Sequence, residues 1–214
     1  MLVRLTLLAT LSLSLLACQS AYYSAMESVG YHKRDILVDR IEDARDAQVE
    51  VKEQFASALE RFSTELNFDG GELQEAYDLV NDEYEASQAR ADELSERIDS
   101  VEEVAEALFA EWQEELALYS NASLRRQSAA KLKETRRNYD RMLVSMHTAE
   151  KKMAPVLSTL RDQSLYLKHN LNARAVASLK SEFSTLQRDI NVLISDVETS
   201  IAAADRFMSQ LTDE

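Results

Sequence analysis

Four apolar seams, each advancing in steps of three and four residues, constrain this chain more than any other feature. The most regular runs through Tyr77, Val80, Tyr84, Ser87, Ala91, Leu94, Ile98, Val101, Ala105, Leu108 and Trp112, a seven-residue repeat with one polar lapse. That period paints a single narrow stripe along an α-helix and is the coiled-coil pattern. An earlier seam comprises Leu37, Ile41, Ala44, Gln48, Val51, Phe55, Ala58, Phe62 and Leu66. A third comprises Leu132, Thr135, Tyr139, Met142, Met146, Ala149, Met153, Val156, Leu160 and Leu167, and a fourth Val176, Leu179, Phe183, Leu186, Ile190, Leu193, Val197, Ala204, Phe207 and Leu211. Three glycines and one proline in 214 residues provide almost none of the turn punctuation a sheet needs. The expected fold is therefore all-α: an elongated antiparallel coiled coil, or four long helices in an up-down-up-down bundle.

The seams are interrupted at three places. Asn67-Phe68-Asp69-Gly70-Gly71 pairs glycines with turn-forming Asn and Asp, Tyr119-Ser120-Asn121-Ala122-Ser123 contains a helix-capping Asn and Ser, and Lys168-His169-Asn170-Leu171-Asn172 precedes the last seam. Helices over about 22–66, 72–119, 122–169 and 173–212 follow, within one elongated unit spanning 22–214. Pro155 falls inside the third seam without shifting its register, which is compatible with a kink or a break. At 1.5 Å per residue such helices are roughly 60 to 75 Å long. Their narrow stripes require neighbours, from the same chain or from a second copy.

Charge is sorted by helix. Residues 69–115 hold 17 acidic side chains against Arg90 and Arg97, whereas residues 121–170 hold 11 basic and four acidic ones. A hairpin turning near Asn121 would set Arg125, Arg126, Lys131, Arg136, Arg137 and Arg141 beside Glu115, Glu114, Glu111, Glu106, Glu103 and Glu102. Complementary flanks select partner and register. The same arginines, notably Arg125, Arg126, Arg136 and Arg137, would also suit contact with anionic headgroups. A formal charge of −14 makes nucleic acid an unfavourable partner.

The N-terminal end reads as an address. Arg4 precedes an apolar run, Leu5 to Leu16, too short to span a bilayer, and Leu15-Leu16-Ala17-Cys18-Gln19 closes it. This leader resembles a bacterial lipoprotein signal, which implies a signal peptide over 1–17, acylation of Cys18, and a lipidated tether over 18–21. Loss of Arg4 with the leader lowers the formal charge to −15. The alternative, an ordinary cleaved leader, would leave a free thiol in an oxidising compartment. Acyl chains on Cys18 would hold the protein on a membrane without a spanning helix.

Chemistry is sparse. None of His32, His147 and His169 has the Glu-x-x-His spacing of a di-iron bundle, and an acylated Cys18 would leave no thiol for zinc or nucleophilic catalysis. No phosphate-cradling G-x-x-x-x-G-K-[ST] run occurs. Tyr139, Met142, Met146 and Met153 have core spacing, and Asp69, Glu72 and Glu75 suit a helix N-terminus. No catalytic residue, metal ligand or cofactor is expected. The candidate partner-binding residues are those of the turns at one end: Phe68, Asp69, Lys168, His169, Asn170 and Asn172.

Several segments are distinctive: Cys18-Gln19-Ser20-Ala21-Tyr22-Tyr23, His32-Lys33-Arg34-Asp35-Ile36-Leu37-Val38, Asn67-Phe68-Asp69-Gly70-Gly71, Tyr119 to Arg125, and Leu167 to Ala173. Through them the chain resembles an uncharacterised family of Gram-negative envelope lipoproteins, all-helical and catalogued only as a domain of unknown function. The resemblance spans essentially the whole chain after the leader and brings no assigned catalytic residues. It implies an envelope lipoprotein, and Gln19 after the cysteine resembles the signal for export to the outer membrane, inner leaflet, facing the periplasm. The function expected is a non-enzymatic, lipid-anchored spacer, scaffold or partner-recruiting protein. It would associate with the membrane through its lipid and with a protein partner or itself through the coiled coil. A carrier or sensor holding a lipid or small apolar ligand between helices is the alternative.

Overall fold

In the computed structural model, which describes Met26 and residues 30–66, 73–170 and 173–212, the four seams become four helices. These are α1 (Lys33–Leu66), α2 (Leu73–Glu115), α3 (Ala122–His169) and α4 (Ala173–Thr212), with a single 3₁₀ turn, Leu116–Leu118, between α2 and α3. No strand occurs among the described residues. Each helix packs on its neighbours in sequence, and α4 closes the ring against α1. This is an all-α, up-down-up-down four-helix bundle. α3, with 48 residues, is about 70 Å long.

Polar contacts between helices give the direction and level of each pairing. Lys33 meets Glu111, and Arg90 meets Glu50, across α1 and α2. Ser95 on α2 donates to Glu150 on α3 at 2.6 Å, and Asn138 on α3 donates to Gln210 on α4, also at 2.6 Å. Arg45 meets Asp205 to bring α4 alongside α1. All four interfaces are thus antiparallel. One end of the bundle carries the start of α1, the α2–α3 turn and the end of α4; the other carries the end of α1, the start of α2 and the α3–α4 turn.

The core is built from the seams. Leu37, Ile41, Ala44, Val51, Phe55 and Ala58 on α1 have no exposure, nor do Leu94, Ile98, Val101 and Ala105 on α2. Met146, Ala149, Leu160 and Leu167 on α3 and Ile190, Val197 and Ala204 on α4 are equally closed off. Neighbours for every seam come from within the one chain. Tyr139 bridges three helices through its ring, edge-on to Phe109 at 5.4 Å and tilted against Phe207 at 6.0 Å.

Three expectations are corrected. The first helix was expected to run unbroken from about residue 22; Met26 is helical, but Gly30 takes φ +89°, Tyr31 and His32 are not helical, and α1 begins at Lys33, while residues 22–25 and 27–29 lie outside the described residues. Asp35 then accepts the His32 amide at 3.2 Å, the reciprocal half of a capping box. α2 was expected to reach 119 but stops at Glu115, where the backbone tightens into the 3₁₀ turn and Tyr119 becomes extended. The expected flanking pairs between α2 and α3 do not form as assigned. Glu111 meets Lys33 rather than Lys131, Glu102 meets His147 rather than Arg141, and the Arg136 guanidinium lies over the Phe109 ring at 5.4 Å. Antiparallel register was right to within about a turn, as Trp112 to Ser128 and Ser164 to Asn81 show; helix rotation, which register does not fix, redirected the charges. Pro155 does not break α3, which runs through it from Ala122 to His169.

Candidate functional site

Polar side chains of possible chemical interest lie at three places: the middle of the bundle, a groove between α3 and α4, and the two ends.

At mid-bundle, His147 on α3 sits between two carboxylates. Its Nδ1 is 2.9 Å from Glu150 Oε2, one turn along the same helix, and its Nε2 is 2.7 Å from Glu102 Oε1 on α2. Ser95 Oγ donates to the other oxygen of Glu150. Only the doubly protonated imidazolium can donate to both carboxylates at once. Burial opposes that charge, yet the hydrogen bonds and charges of Glu150 and Glu102 outweigh it and raise the histidine above its ordinary value of 6.5. Burial likewise disfavours the Glu150 anion, but hydrogen bonds from Ser95 and His147 hold its pKa below the ordinary 4.5. The carboxylates occupy opposite ring nitrogens and so do not converge on one point. Among the described residues no group of three or more His, Cys, Asp or Glu side chains is arranged to hold a metal ion. Ser95 and His147 both hydrogen-bond Glu150, and His147 also reaches Glu102, so the cluster ties α2 to α3 as an inter-helical clasp. Sequence reasoning missed it. His147 and Glu150 at i,i+3 were a visible hint; Glu102 and Ser95 were not.

The groove between α3 and α4 has a volume of about 350 Å³ and is lined by Met142 and Phe207 together with Asn138, Arg141, Arg206 and Gln210. It is open to solvent and mixed in polarity. Between the helices, the described seam side chains are buried or partly buried against one another.

At the turn-bearing end, Phe68, Asp69 and Asn172 lie outside the described residues, so half of the proposed partner-binding set has no described position. Lys168 and His169 are exposed in the last turn of α3, where positive groups complement the helix dipole. Asn170 terminates the helix: its backbone N–H donates to Leu167 O and its side-chain amide to Tyr166 O, both at 3.0 Å. Its hydrogen-bonding capacity is partly engaged in ending α3.

At the opposite end, Asn121 caps α3 by accepting the Ser123 and Leu124 amides at 2.8 and 3.2 Å. Arg125, Arg126, Arg136 and Arg137 follow, all exposed. Arg136 is engaged with Phe109; Arg125, Arg126 and Arg137 make no ion pair among the described residues. Cys18, the leader over 1–17 and the tether over 18–21 lie outside the described residues. No helix among the described residues is long and apolar enough to cross a membrane.

A protein-family profile described as a protein of unknown function (DUF2959) matches residues 22–211. The chain belongs to this family. The match begins four residues beyond Cys18 and runs to the last turn of α4, so the family is defined by the four-helix bundle as a whole. No curated protein and no solved structure matches the chain.

Proposed function

We propose that this DUF2959 protein is a non-enzymatic rod, anchored by lipid on Cys18 to the inner leaflet of the outer membrane, that spaces or recruits a partner in the periplasm of a Gram-negative envelope. The observation that carries the reading is the use of the interior. The described residues of all four seams pack against one another over a bundle about 70 Å long. What remains for function is length, surface and two ends. The sequence around Cys18 supports the anchor, and α1 begins at the end from which such an anchor would emerge. Scaffold function then falls to the far end, where Lys168 and His169 are exposed.

The test is made in cells on the full chain. Wild type and Cys18→Ser are fractionated, and the intact mass of the membrane-bound species is measured. Acylated protein in the outer-membrane fraction, lost on Cys18→Ser, agrees with the anchor; an unmodified Cys18 in the mature protein removes it. A photo-crosslinking residue at His169 then captures the client. A rod that yields no recurrent adduct from the far end, and whose loss is rescued by a bundle lacking that end, is not a recruiting scaffold.

A further inference from the structure

Eight large apolar side chains are exposed among the described residues: Val144 and Val192 on the flanks, Leu165 and Tyr166 near the α3–α4 turn, and the other four together at one end. Leu118 is 82% exposed, Leu124 50%, Tyr31 49% and Tyr119 39%, and all four lie at the end that carries the start of α1 and the α2–α3 turn. A turn that only reverses the chain in water favours Gly, Asn, Asp and Ser. This one reads Leu116-Ala117-Leu118-Tyr119-Ser120-Asn121, and of its two leucines only Leu116 packs against the core. Leu118 projects from the 3₁₀ turn with nothing to cover it. Asn121 begins α3 immediately afterwards, which fixes Leu124 one turn later beside Arg125 and Arg126.

The charge at this end departs from that of the whole chain. Taken to the level of Arg137 on every helix, residues 33–39, 105–115, 122–137 and 211–212 hold eight basic side chains against seven acidic ones, close to neutral in a chain whose formal charge is −14, and the basic ones are concentrated on α3. Glu111 is engaged with Lys33. Arg125, Arg126, Lys133 and Arg137 are exposed and make no ion pair among the described residues. The last described turn of α4, Ser209 to Thr212, carries no charge.

From this juxtaposition we infer that the α2–α3 turn is a membrane-docking cap. Leu118 and Leu124 enter the headgroup boundary of an anionic bilayer, Tyr119 and Tyr31 lie at its interface, and Arg125 and Arg126 pair with lipid phosphates. The parts match the chemistry of such a boundary: apolar side chains gain by leaving water, tyrosine places a ring in lipid and a hydroxyl in water, and arginine extends an apolar stem to a phosphate. Glu114 and Glu115 lie on the same end and are repelled by the surface, so docking depends on the arginines and weakens as salt rises. The occupant is a membrane rather than a second protein because the proposed anchor precedes α1, whose start lies at this end. Cys18 is 12 residues from Gly30, a reach of at most about 40 Å, so an anchor on it holds this end at the bilayer. The inference rests on the anchored reading above for that orientation. It adds a second contact, which would set the rod upright rather than leave it swinging on a tether.

The experiment uses the full chain with a single tryptophan as reporter. In a Trp112→Phe background, Leu118→Trp places it on the cap and Val144→Trp places it on the flank of α3, where Val144 is 66% exposed. Each protein is mixed with vesicles of phosphatidylethanolamine and phosphatidylglycerol, or of phosphatidylcholine alone, with brominated acyl chains as quencher. The expected result is quenching and a blue shift at 118, on anionic vesicles only, with the 144 reporter unchanged. Arg125→Gln with Arg126→Gln should lower the ratio of docked to undocked protein by about 30-fold, at roughly tenfold for each 1.4 kcal/mol and near 1 kcal/mol for each basic residue at such a surface. Equal solvent exposure of the 118 and 144 reporters on anionic vesicles overturns the cap. Flotation of the same samples reads anchoring separately, so a chain that floats without quenching at 118 loses the cap and keeps the anchor. Because Trp112 donates to Ser128 and its loss could loosen this end, hydrogen exchange of residues 116–121 in the unmodified chain is the companion measurement. Slowing on anionic vesicles is expected there, and unchanged exchange rejects the proposal.

Discussion

Ser200→Ala tests whether the rod is held in register by a polar clasp buried in its core. Gln48 on α1 and Ser200 on α4 have no solvent exposure, and the Gln48 amide nitrogen donates to the serine hydroxyl at 2.6 Å. Gln48 Oε1 has no partner. Removing the Ser200 hydroxyl therefore strands the nitrogen as well, and a buried amide without partners is destabilised by about 1–3 kcal/mol. For a bundle of this size that corresponds to a fall in Tm of roughly 2–12 °C, at about 2–4 °C per kcal/mol. Gln48→Met in the Ser200→Ala background replaces both polar groups by apolar ones of similar shape. It should restore stability to the wild-type level or above, because no desolvated group is then left unpaired. Urea denaturation followed by far-UV circular dichroism measures the two variants against wild type, with the m-value checked for constancy. A single variant within about 0.5 kcal/mol of wild type, or a double variant less stable than the single, would refute the reasoning, since surface-like behaviour of that size marks a group that was never committed. The double variant has a second readout. A polar pair at core positions favours one helix alignment over its neighbours, so the all-apolar core should be more stable and less uniquely packed, with broader amide resonances on α1 and α4.

Other outcomes follow from individual residues. His147 has a raised pKa, so its contribution is full below 6.5 and lost as pH rises through the folded-state value; Glu150 has a lowered one, so its contribution is full above 4.5 and lost as pH falls through its own folded-state value. Together they favour the folded state most between 4.5 and 6.5. His147→Gln should flatten the decline above 6.5 in a pH series of urea midpoints, by less than about 1 kcal/mol for groups this exposed. An identical decline in the variant would assign it elsewhere. Pro155 is exposed and lies inside α3, where it can donate no amide hydrogen bond. Pro155→Ala should raise stability by about 1–3 kcal/mol, and a lower thermal midpoint would show that α3 is shaped around the proline. Asn121→Ala removes the cap of α3 and should lower stability by about 1 kcal/mol, whereas Asn121→Asp should retain it in the same melt.

The bundle was legible because heptad spacing survives translation into packing almost residue by residue. On α1 every seam residue from Leu37 to Phe62 is buried, including the polar Gln48. Departures have physical causes. Near the end of α2 the sequence pattern names Leu108 and Trp112, but Phe109 is the residue closed off at 2% exposure, with Leu108 and Trp112 half-buried. A helix of 3.6 residues per turn drifts about 20° per heptad against a strict repeat, which rotates a neighbouring position into the core. Charge pairing was less legible because it depends on that same rotation: Glu102 and Glu111 were placed at nearly the right level, but met His147 and Lys33. The start of α1 follows one glycine, Gly30, whose positive φ is a conformation that glycine allows but does not require, so the sequence alone does not fix it. Leu118 and Leu124 were outside every seam, and only the structure shows that they are left in water.

A molecule built this way separates stability from function more cleanly than a globular enzyme does. Almost every apolar residue along α1 to α4 is committed to a neighbour, so a core substitution such as Leu94→Ala, costing about 2–5 kcal/mol, would alter any activity only by depleting folded protein. The ends behave differently. Leu118 and Lys168 are exposed and make no contact that the bundle needs, so their replacement should leave denaturation midpoints within about 0.5 kcal/mol of wild type. A phenotype from Leu118→Ser or Lys168→Glu with unchanged midpoints can therefore come only from what the end touches. Length is the third variable: deleting seven residues from each helix at matching levels preserves the seams and shortens the rod by about 10 Å. A spacer must respond to that deletion, and a protein that acts through one end alone need not.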